Sequence, residues 1–254
     1  MTEIVPGLPA PPAELAFLLD IDGTILDIAA TPPQVRVPNS LRETLARLDR
    51  LSGGALALVS GRSLQDIDRV FAPLRLAAIG GHGAELRPAK REAPIVGRAA
   101  PLPAELRQRL AGIAALGTGI IVEDKGYSLA LHYRLAPKLK DAVENAVAEI
   151  CANGPVGTLD VLPGKAVIEI KRVGFEKGTA VRELMHFPPF VGRRPVFVGD
   201  DVTDASVFAV LPEFDGVGFS VGRTFPGVAD CFAAPRDVRK WLTRISKLEA
   251  VATP

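Results

Sequence analysis

The sequence predicts an α/β protein: a doubly wound parallel sheet carrying an inserted α+β subdomain. Short, almost wholly apolar runs of strand length alternate with segments of helical periodicity, the pattern of a sheet covered by helices on both faces. Glycines and acidic residues stand just past the C-terminal ends of those runs, where open parallel sheets bind ligands. Between about Glu85 and Arg172 the strands change to alternation of apolar and polar residues, which marks a sheet with one covered face.

In order, the first strand is expected over Glu14–Asp20, after a proline-rich leader. A helix follows over Ser40–Leu51, with apolar residues at helical spacing and Ser40 as its N-cap. Further buried strands are expected over Gly54–Ser60, Leu76–Gly80 and Pro195–Gly199, and Lys177-Gly178 opens a helix over Thr179–Met185. Within the insert, helices over Pro103–Leu116 and Pro137–Cys151 accompany strands over Gly126–Arg134 and Lys165–Lys171. The division is therefore a core of residues 1–84 plus 173–254 and a cap of residues 85–172.

Composition excludes several functions. Hydrophobic residues are 48% and charged residues 23%, too apolar for a disordered chain. Lys plus Arg number 30 against 29 for Asp plus Glu, so no global field recruits nucleic acid or an anionic membrane. No apolar run approaches the roughly 20 residues that cross a bilayer. The leader, with Glu3 and four prolines, lacks the form of a secretory signal, and a cytoplasmic location is expected. Cys151 and Cys231 are too few for a disulfide framework or a zinc cluster and are read as buried free thiols.

The chemistry is concentrated at the strand ends. Asp20-Ile-Asp-Gly-Thr24 sets two carboxylates, a turn glycine and the Thr24 hydroxyl after the first strand. An Asp-x-Asp pair alone is weak evidence, because acidic residues commonly mark solvated turns. Its companions are Ser60-Gly-Arg62, Lys177-Gly178 and Gly199-Asp-Asp-Val-Thr-Asp204, each at an element boundary. Carboxylates converging in one crevice repel each other unless a cation lies among them. Mg²⁺ suits such a place, since it takes oxygen ligands and is held by one or two carboxylates together with a substrate phosphate. Lys177, Ser60 and main-chain N–H groups would hold the remaining phosphate oxygens. Two unit charges about 4 Å apart at an effective dielectric near 20 interact by roughly 4 kcal/mol, so an anionic nucleophile needs that counter-charge to approach phosphorus. Asp20 can then attack to form an aspartyl phosphate, and Asp22 is suited to protonate the leaving oxygen and deprotonate the hydrolytic water. His82, His132 and His186 are too scattered for a metal triad.

In this order the four segments resemble the haloacid dehalogenase superfamily of phosphohydrolases. Within it, Leu58-Val-Ser-Gly-Arg-Ser63, Gly81-His-Gly-Ala-Glu85, Ser128-Leu-Ala-Leu-His-Tyr-Arg134, Pro163-Gly-Lys-Ala-Val-Ile-Glu-Ile-Lys171 and Gly192-Arg-Arg-Pro-Val-Phe-Val-Gly-Asp-Asp-Val-Thr-Asp204 resemble the trehalose-6-phosphate phosphatases, over about Phe17 to Trp241. The resemblance implies a Rossmann-like core with a mobile cap, the inserted α+β subdomain, after the third strand. It implies Asp20 as nucleophile and Mg²⁺ ligand, Asp22 as acid/base that also lends its main-chain carbonyl to the metal, and Asp200 as the remaining protein ligand. Ser60 and Lys177 carry over as stabilisers of phosphate and nucleophile, with Thr24, Asp201 and Asp204 in support.

In the cap the family's Glu-x-Lys corresponds to Glu123-Asp-Lys125, with Arg134 and Glu169 as further polar positions, and Arg62 and His82 complete the implied substrate contacts. Carboxylates and cationic donors are the right chemistry for a disaccharide, which offers many hydroxyls and only its phosphate as charge. One departure is Ile21, where an aromatic is frequent. The implied reaction is hydrolysis of trehalose 6-phosphate. The alternative is a phosphatase of another sugar phosphate such as a glycosyl-3-phosphoglycerate, whose extra carboxylate calls for a second basic cluster that is not distinct from Lys125 and Arg134. A receiver-like signalling domain is about half this length, and an inactive regulatory subunit would lack Asp20. The expected partner is the small-molecule substrate, with neither nucleic acid nor membrane, a functional link to a trehalose-6-phosphate synthase, and a monomer or weak oligomer.

Overall fold

A computed structural model describes residues 8–28, 34–95, 99–152 and 158–248, so the first seven residues of the leader lie outside it. The strands are β1 (Leu15–Leu19), β2 (Leu56–Val59), β3 (Ala77–Gly80), β4 (Glu85–Arg87), β5 (Ile121–Asp124), β6 (Ser128–His132), β7 (Leu159–Gly164), β8 (Val167–Arg172), β9 (Arg194–Gly199), β10 (Val217–Val221) and β11 (Val228–Phe232). The α-helices are α1 (Asn39–Leu51), α2 (Leu64–Phe71), α3 (Ala104–Gly112), α4 (Lys140–Ala152), α5 (Lys177–Leu184), α6 (Ala205–Val210) and α7 (Pro235–Ile245).

The chain divides into two units, one holding the described residues of 8–28, 35–95 and 176–248, the other Gln34 and those of 99–175. The first is built on a seven-stranded sheet in the order β11-β10-β9-β1-β2-β3-β4, parallel throughout except where β4 pairs antiparallel with β3. Strand β1 shows why it is doubly covered. All five of its residues are fully buried; Leu15, Phe17 and Leu19 join the cluster of α1, α2 and α7, whereas Ala16 and Leu18 join that of α5 and α6. Each large apolar side chain buried this way contributes about 1.5–3 kcal/mol. At one flank, Trp241 of α7 packs on Phe219 and Phe232 with ring centroids 5.3 and 5.5 Å apart.

Helix α1 begins one residue before the expected cap. Pro38 occupies the N-cap position without a side-chain bond, and its carbonyl accepts from Leu41 and Arg42, so Ser40 falls inside the first turn. Helix α2 is the one with a serine cap: Ser63 Oγ accepts from the Asp66 N–H at 3.1 Å.

The second unit is an antiparallel sheet in the order β5-β6-β8-β7, with α3 and α4 against one face. Leu129, Leu131, Ile168 and Ile170 point into that core along with Leu106, Leu110, Val143 and Val147. Both boundaries fall later than the sequence predicts. Glu85–Arg87 pairs with β3 and Ile95 bridges Leu86, which keeps residues 85–95 with the parallel sheet. On the return, the Lys171 ammonium binds the Phe175 carbonyl at 2.7 Å, and the Phe175 ring meets Tyr127 edge-on, holding 173–175 with the antiparallel sheet. The two cysteines are free but half-buried rather than buried, Cys151 near the end of α4 and Cys231 on the outermost strand.

Candidate active site

Because β1 and β9 run parallel in register, Leu19 beside Val198, their ends bring Asp20 and Asp200 together. The turn after β1 needs glycine. Gly23 has φ +90°, and a Cβ there would lie 2.2 Å from the Asp200 carboxylate. Thr24 Oγ1 lies 2.8 Å from Asp20 Oδ2 and 3.2 Å from Asp200 Oδ1, sharing its hydrogen between the two. Lys177, the first residue of α5, enters from the other side, its ammonium donating to Asp20 Oδ1 at 2.9 Å and to Asp204 Oδ1 at 2.7 Å. Asp204 is fully buried, and its second oxygen accepts from the main-chain N–H groups of Asp200 and Asp201 at 2.9 and 3.0 Å.

Carboxylate oxygens of Asp20, Asp200 and Asp204 therefore lie within 4.8 Å of one another, all three residues buried. Three carboxylates and one ammonium leave a formal excess of two negative charges. Burial pushes the Asp20 carboxyl well above its ordinary range; Lys177 opposes that, while the charges of Asp204 and Asp200 add to it. Burial pulls the Lys177 ammonium the other way, but Asp20 and Asp204 outweigh it and hold the group firmly protonated. An all-oxygen donor set with two uncompensated charges fits a divalent cation. Asp204 is not its natural ligand, since both its oxygens are already committed to Lys177 and the main chain.

Ser60 directly follows β2, beside β1, and is buried; its Oγ accepts from the Arg62 N–H at 3.2 Å. Arg62 lies against Asp22, with Nε and Nη2 at 2.6 and 2.8 Å from the two carboxylate oxygens, and its Nη1 binds Asp66. Burial disfavours the Arg62 charge, yet Asp22 and then Asp66 more than restore it. His82 stands at φ +54° between two glycines, its N–H on the Ser60 carbonyl at 3.1 Å. Its ring fills the space over Gly61, where a Cβ would come within 2.3 Å of His82 Nε2. Asp201 differs from Asp204: its carboxylate meets the exposed Arg223 at 3.3 Å, so of the two only Asp204 orients the lysine in the described contacts.

The second unit carries a separate polar row. Glu123, Ala130 and Glu169 stand side by side across β5, β6 and β8. Lys125 Nζ lies 3.1 Å from Glu169 Oε1 and 3.9 Å from Glu123 Oε1, and Ser128 Oγ donates to Glu169 Oε1 at 2.7 Å. His132 Nε2 is 3.1 Å from Glu123 Oε2. Burial would raise the Glu123 carboxyl, but the His132 bond and the Lys125 charge outweigh it and leave it below its ordinary range. Arg134, past the end of β6, donates to the Lys165 carbonyl. Sequence reasoning missed Ser128, His132 and Asp66. The first two were within reach, because they alternate with Ala130 on the face that Glu123 and Glu169 share.

Known proteins bear on these two sites. The trehalose-phosphatase family model matches residues 18–230. The trehalose-6-phosphate phosphatase of Escherichia coli (strain K12) is 37% identical over 246 residues, covering 97% of this chain and 92% of that one. A bifunctional trehalose-6-phosphate synthase/phosphatase of Thermoproteus tenax is 34% identical over 207 residues, 78% of this chain and 27% of its own. In fold, the C-terminal domain of the C. albicans trehalose-6-phosphate phosphatase superposes with a TM-score of 0.79 at 20% identity, covering 93% of each chain. The family match spans both the carboxylates around Lys177 and the polar row of the second sheet, and on it this chain belongs to the trehalose-phosphatase family.

Proposed function

We propose that this chain hydrolyses trehalose 6-phosphate to trehalose and inorganic phosphate, with Asp20 as nucleophile, Asp22 as acid/base and Mg²⁺ as cofactor. The observation that carries the reading is the buried Asp20 carboxylate held between Lys177 and Thr24 at the end of β1. Asp20 and Asp200, with the Asp22 carbonyl, would hold the cation. When bound, Mg²⁺ supplies the positive charge that lets an anionic oxygen meet an anionic phosphate. An Asp20 oxygen bonds to phosphorus while the bond from phosphorus to the sugar oxygen breaks, and Asp22 gives that oxygen its proton. Asp22, now a carboxylate, takes a proton from water, whose oxygen displaces Asp20 from phosphorus and releases phosphate. Lys177 and Ser60 steady the phosphoryl oxygens in both halves, and the Lys177 bond keeps the attacking carboxylate aimed. Arg62 orients Asp22, and His82 braces the Ser60 turn beside the substrate.

Residues 99–175 act in this reading as the cap that reads the sugar, through Glu123, Lys125, Arg134 and Glu169. A carboxylate and an ammonium placed on a rigid sheet face accept and donate to hydroxyls at set positions. The T. tenax relative, which carries both activities in its name, supports a functional link to a synthase. Two free thiols suit a cytoplasmic enzyme. The test is phosphate release from a panel of sugar phosphates with Mg²⁺ and after chelation. Trehalose 6-phosphate should be the best substrate and the chelated enzyme silent; preference for a glycosyl phosphoglycerate would transfer the assignment to that class.

A further inference from the structure

We infer that His132 is a positioning residue for sugar recognition, holding Glu123 in the orientation in which it accepts substrate hydroxyls; the inference rests on the proposed role of Glu123. In the register of β5 and β6, Glu123 faces Ala130 and His132 faces Ile121, so His132 is the diagonal neighbour of Glu123 on the same face of the sheet. A diagonal partner is within reach only of a long or aromatic side chain, and the imidazole bridges the gap: Nε2 stands 3.1 Å from Glu123 Oε2. The Ala130 methyl leaves the path open. The histidine side chain is 19% exposed and the glutamate 35%, so the link is largely sheltered while the carboxylate still meets solvent.

A glutamate alone on an exposed strand turns about three bonds and must lose that freedom when it binds a hydroxyl. Here Oε2 is tied to His132, and Oε1 lies on the side of Lys125, 3.9 Å from its ammonium. Lys125 is itself anchored on Glu169, which Ser128 holds in turn. His132 thus closes one end of a chain of contacts running across three strands, and without it the remaining ion pair of Glu123 among the described residues is the longer approach of Lys125. Glu123 is then pre-organised before substrate arrives, which favours affinity through lowered ordering cost. Neutral imidazole with its proton on Nε2 can donate this bond, so the arrangement does not need a charged histidine.

The experiment compares full-length wild type, His132→Ala, His132→Phe, His132→Gln and Glu123→Ala on trehalose 6-phosphate and on para-nitrophenyl phosphate. His132→Phe keeps ring volume without a donor, and glutamine places an amide N–H near the position of Nε2. The expected result is a rise of about tenfold in KM for the sugar ester in His132→Ala and His132→Phe, with kcat and turnover of the aryl ester within about twofold of wild type, and substantial recovery in His132→Gln. Equal losses on both esters in His132→Phe, or wild-type KM in it, overturns the inference. Glu123→Ala separates the two readings. If it loses the sugar ester selectively while His132→Phe does not, only the role of His132 falls; if neither variant discriminates between the esters, the sugar-reading role of Glu123 falls with it.

Discussion

The strand-end carboxylates of the first unit and the polar row of the second are both clusters of acids around a lysine, yet they are built in opposite ways. Asp20, Asp200, Asp204 and Lys177 are each no more than 4% exposed and are fixed by main-chain N–H groups, a turn glycine and a helix start. Glu123 and Glu169 sit on a regular sheet face with Lys125 just past the end of β5, where period-2 alternation brings them to one side and side-chain bonds hold them, and Glu123 remains open to solvent. In the first, burial turns like charge into a demand for a cation. In the second, opposite charges already pair, and what remains is hydrogen-bonding capacity. The first is suited to moving phosphorus, the second to telling one alcohol from another. Variants in the first should therefore fail on every ester, and variants in the second only on the sugar.

Asp20→Asn should show the largest effect. It removes the attacking charge while keeping volume, so phosphate release from trehalose 6-phosphate and from para-nitrophenyl phosphate should both fall by about 10⁴-fold or more, with an unchanged circular dichroism spectrum. A loss confined to the sugar ester would erase the contrast between the two units. Lys177→Met comes next. It leaves Asp20 and the fully buried Asp204 without their ammonium, and breaking such a pair costs about 3–5 kcal/mol, to be read as a lowered denaturation midpoint together with loss of turnover on both esters.

The cation sharpens the same comparison through pH. In the cation-free protein the Asp20 pKa lies above its ordinary value of 3.8, so the folded state holds more protons than the unfolded one over that interval. The Asp20 contribution to stability of the cation-free protein therefore falls as pH rises from 3.8 through the folded-state pKa. A bound cation removes that penalty, and protons compete with it. Added Mg²⁺ should thus raise the melting temperature more at pH 7.5 than at pH 5, by an increment that follows concentration through mass action. An increment independent of pH would show that the ion does not bind at these carboxylates. Lys125→Ala, in the other region, should cost roughly tenfold to 100-fold on the sugar ester and little on the aryl ester, since it removes one charged hydrogen-bonding group from the row.

What was legible in the sequence follows the same division. The strand-end site could be read because its geometry is local: an apolar run ends, a carboxylate follows, and a glycine makes the turn, so Asp20, Asp200 and Lys177 declare their places. Asp204 was legible only as support, since its pairing with Lys177 crosses from one helix start to another. Arg62 bound to Asp22 joins residues 40 apart in sequence, and no periodicity encodes it. The edge strands β4 and β11 escaped because short edge strands carry little pattern, and β10, which lies between β11 and β9, escaped with its partner. Strand β5 ends in charges, and β7 contains Pro163 and Gly164, which read as a turn. The boundaries moved because Glu85–Arg87 looks like a linker until Arg87 is seen fully buried, forked on Asp68 and bound to the Leu76 carbonyl.

The smallest expected effect is also the one that separates Asp201 from Asp204, adjacent in motif and alike in charge. Asp201 pairs with Arg223, which is 49% exposed, and that guanidinium also stacks over Phe225 at 4.6 Å. Solvent-exposed pairs are worth about 0–1 kcal/mol and weaken with salt. Arg223→Ala should lower stability by no more than about 1 kcal/mol and leave turnover of both esters within about twofold, whereas Asp204→Asn, which weakens the hold on Lys177, should reduce both by a large factor. Measured in one set with denaturation midpoints and both esters, equal and large losses in the two variants would mean that burial does not rank these carboxylates. A silent Arg223→Ala beside a crippled Asp204→Asn would place the boundary of the catalytic cluster between two residues that the motif alone treats as equals.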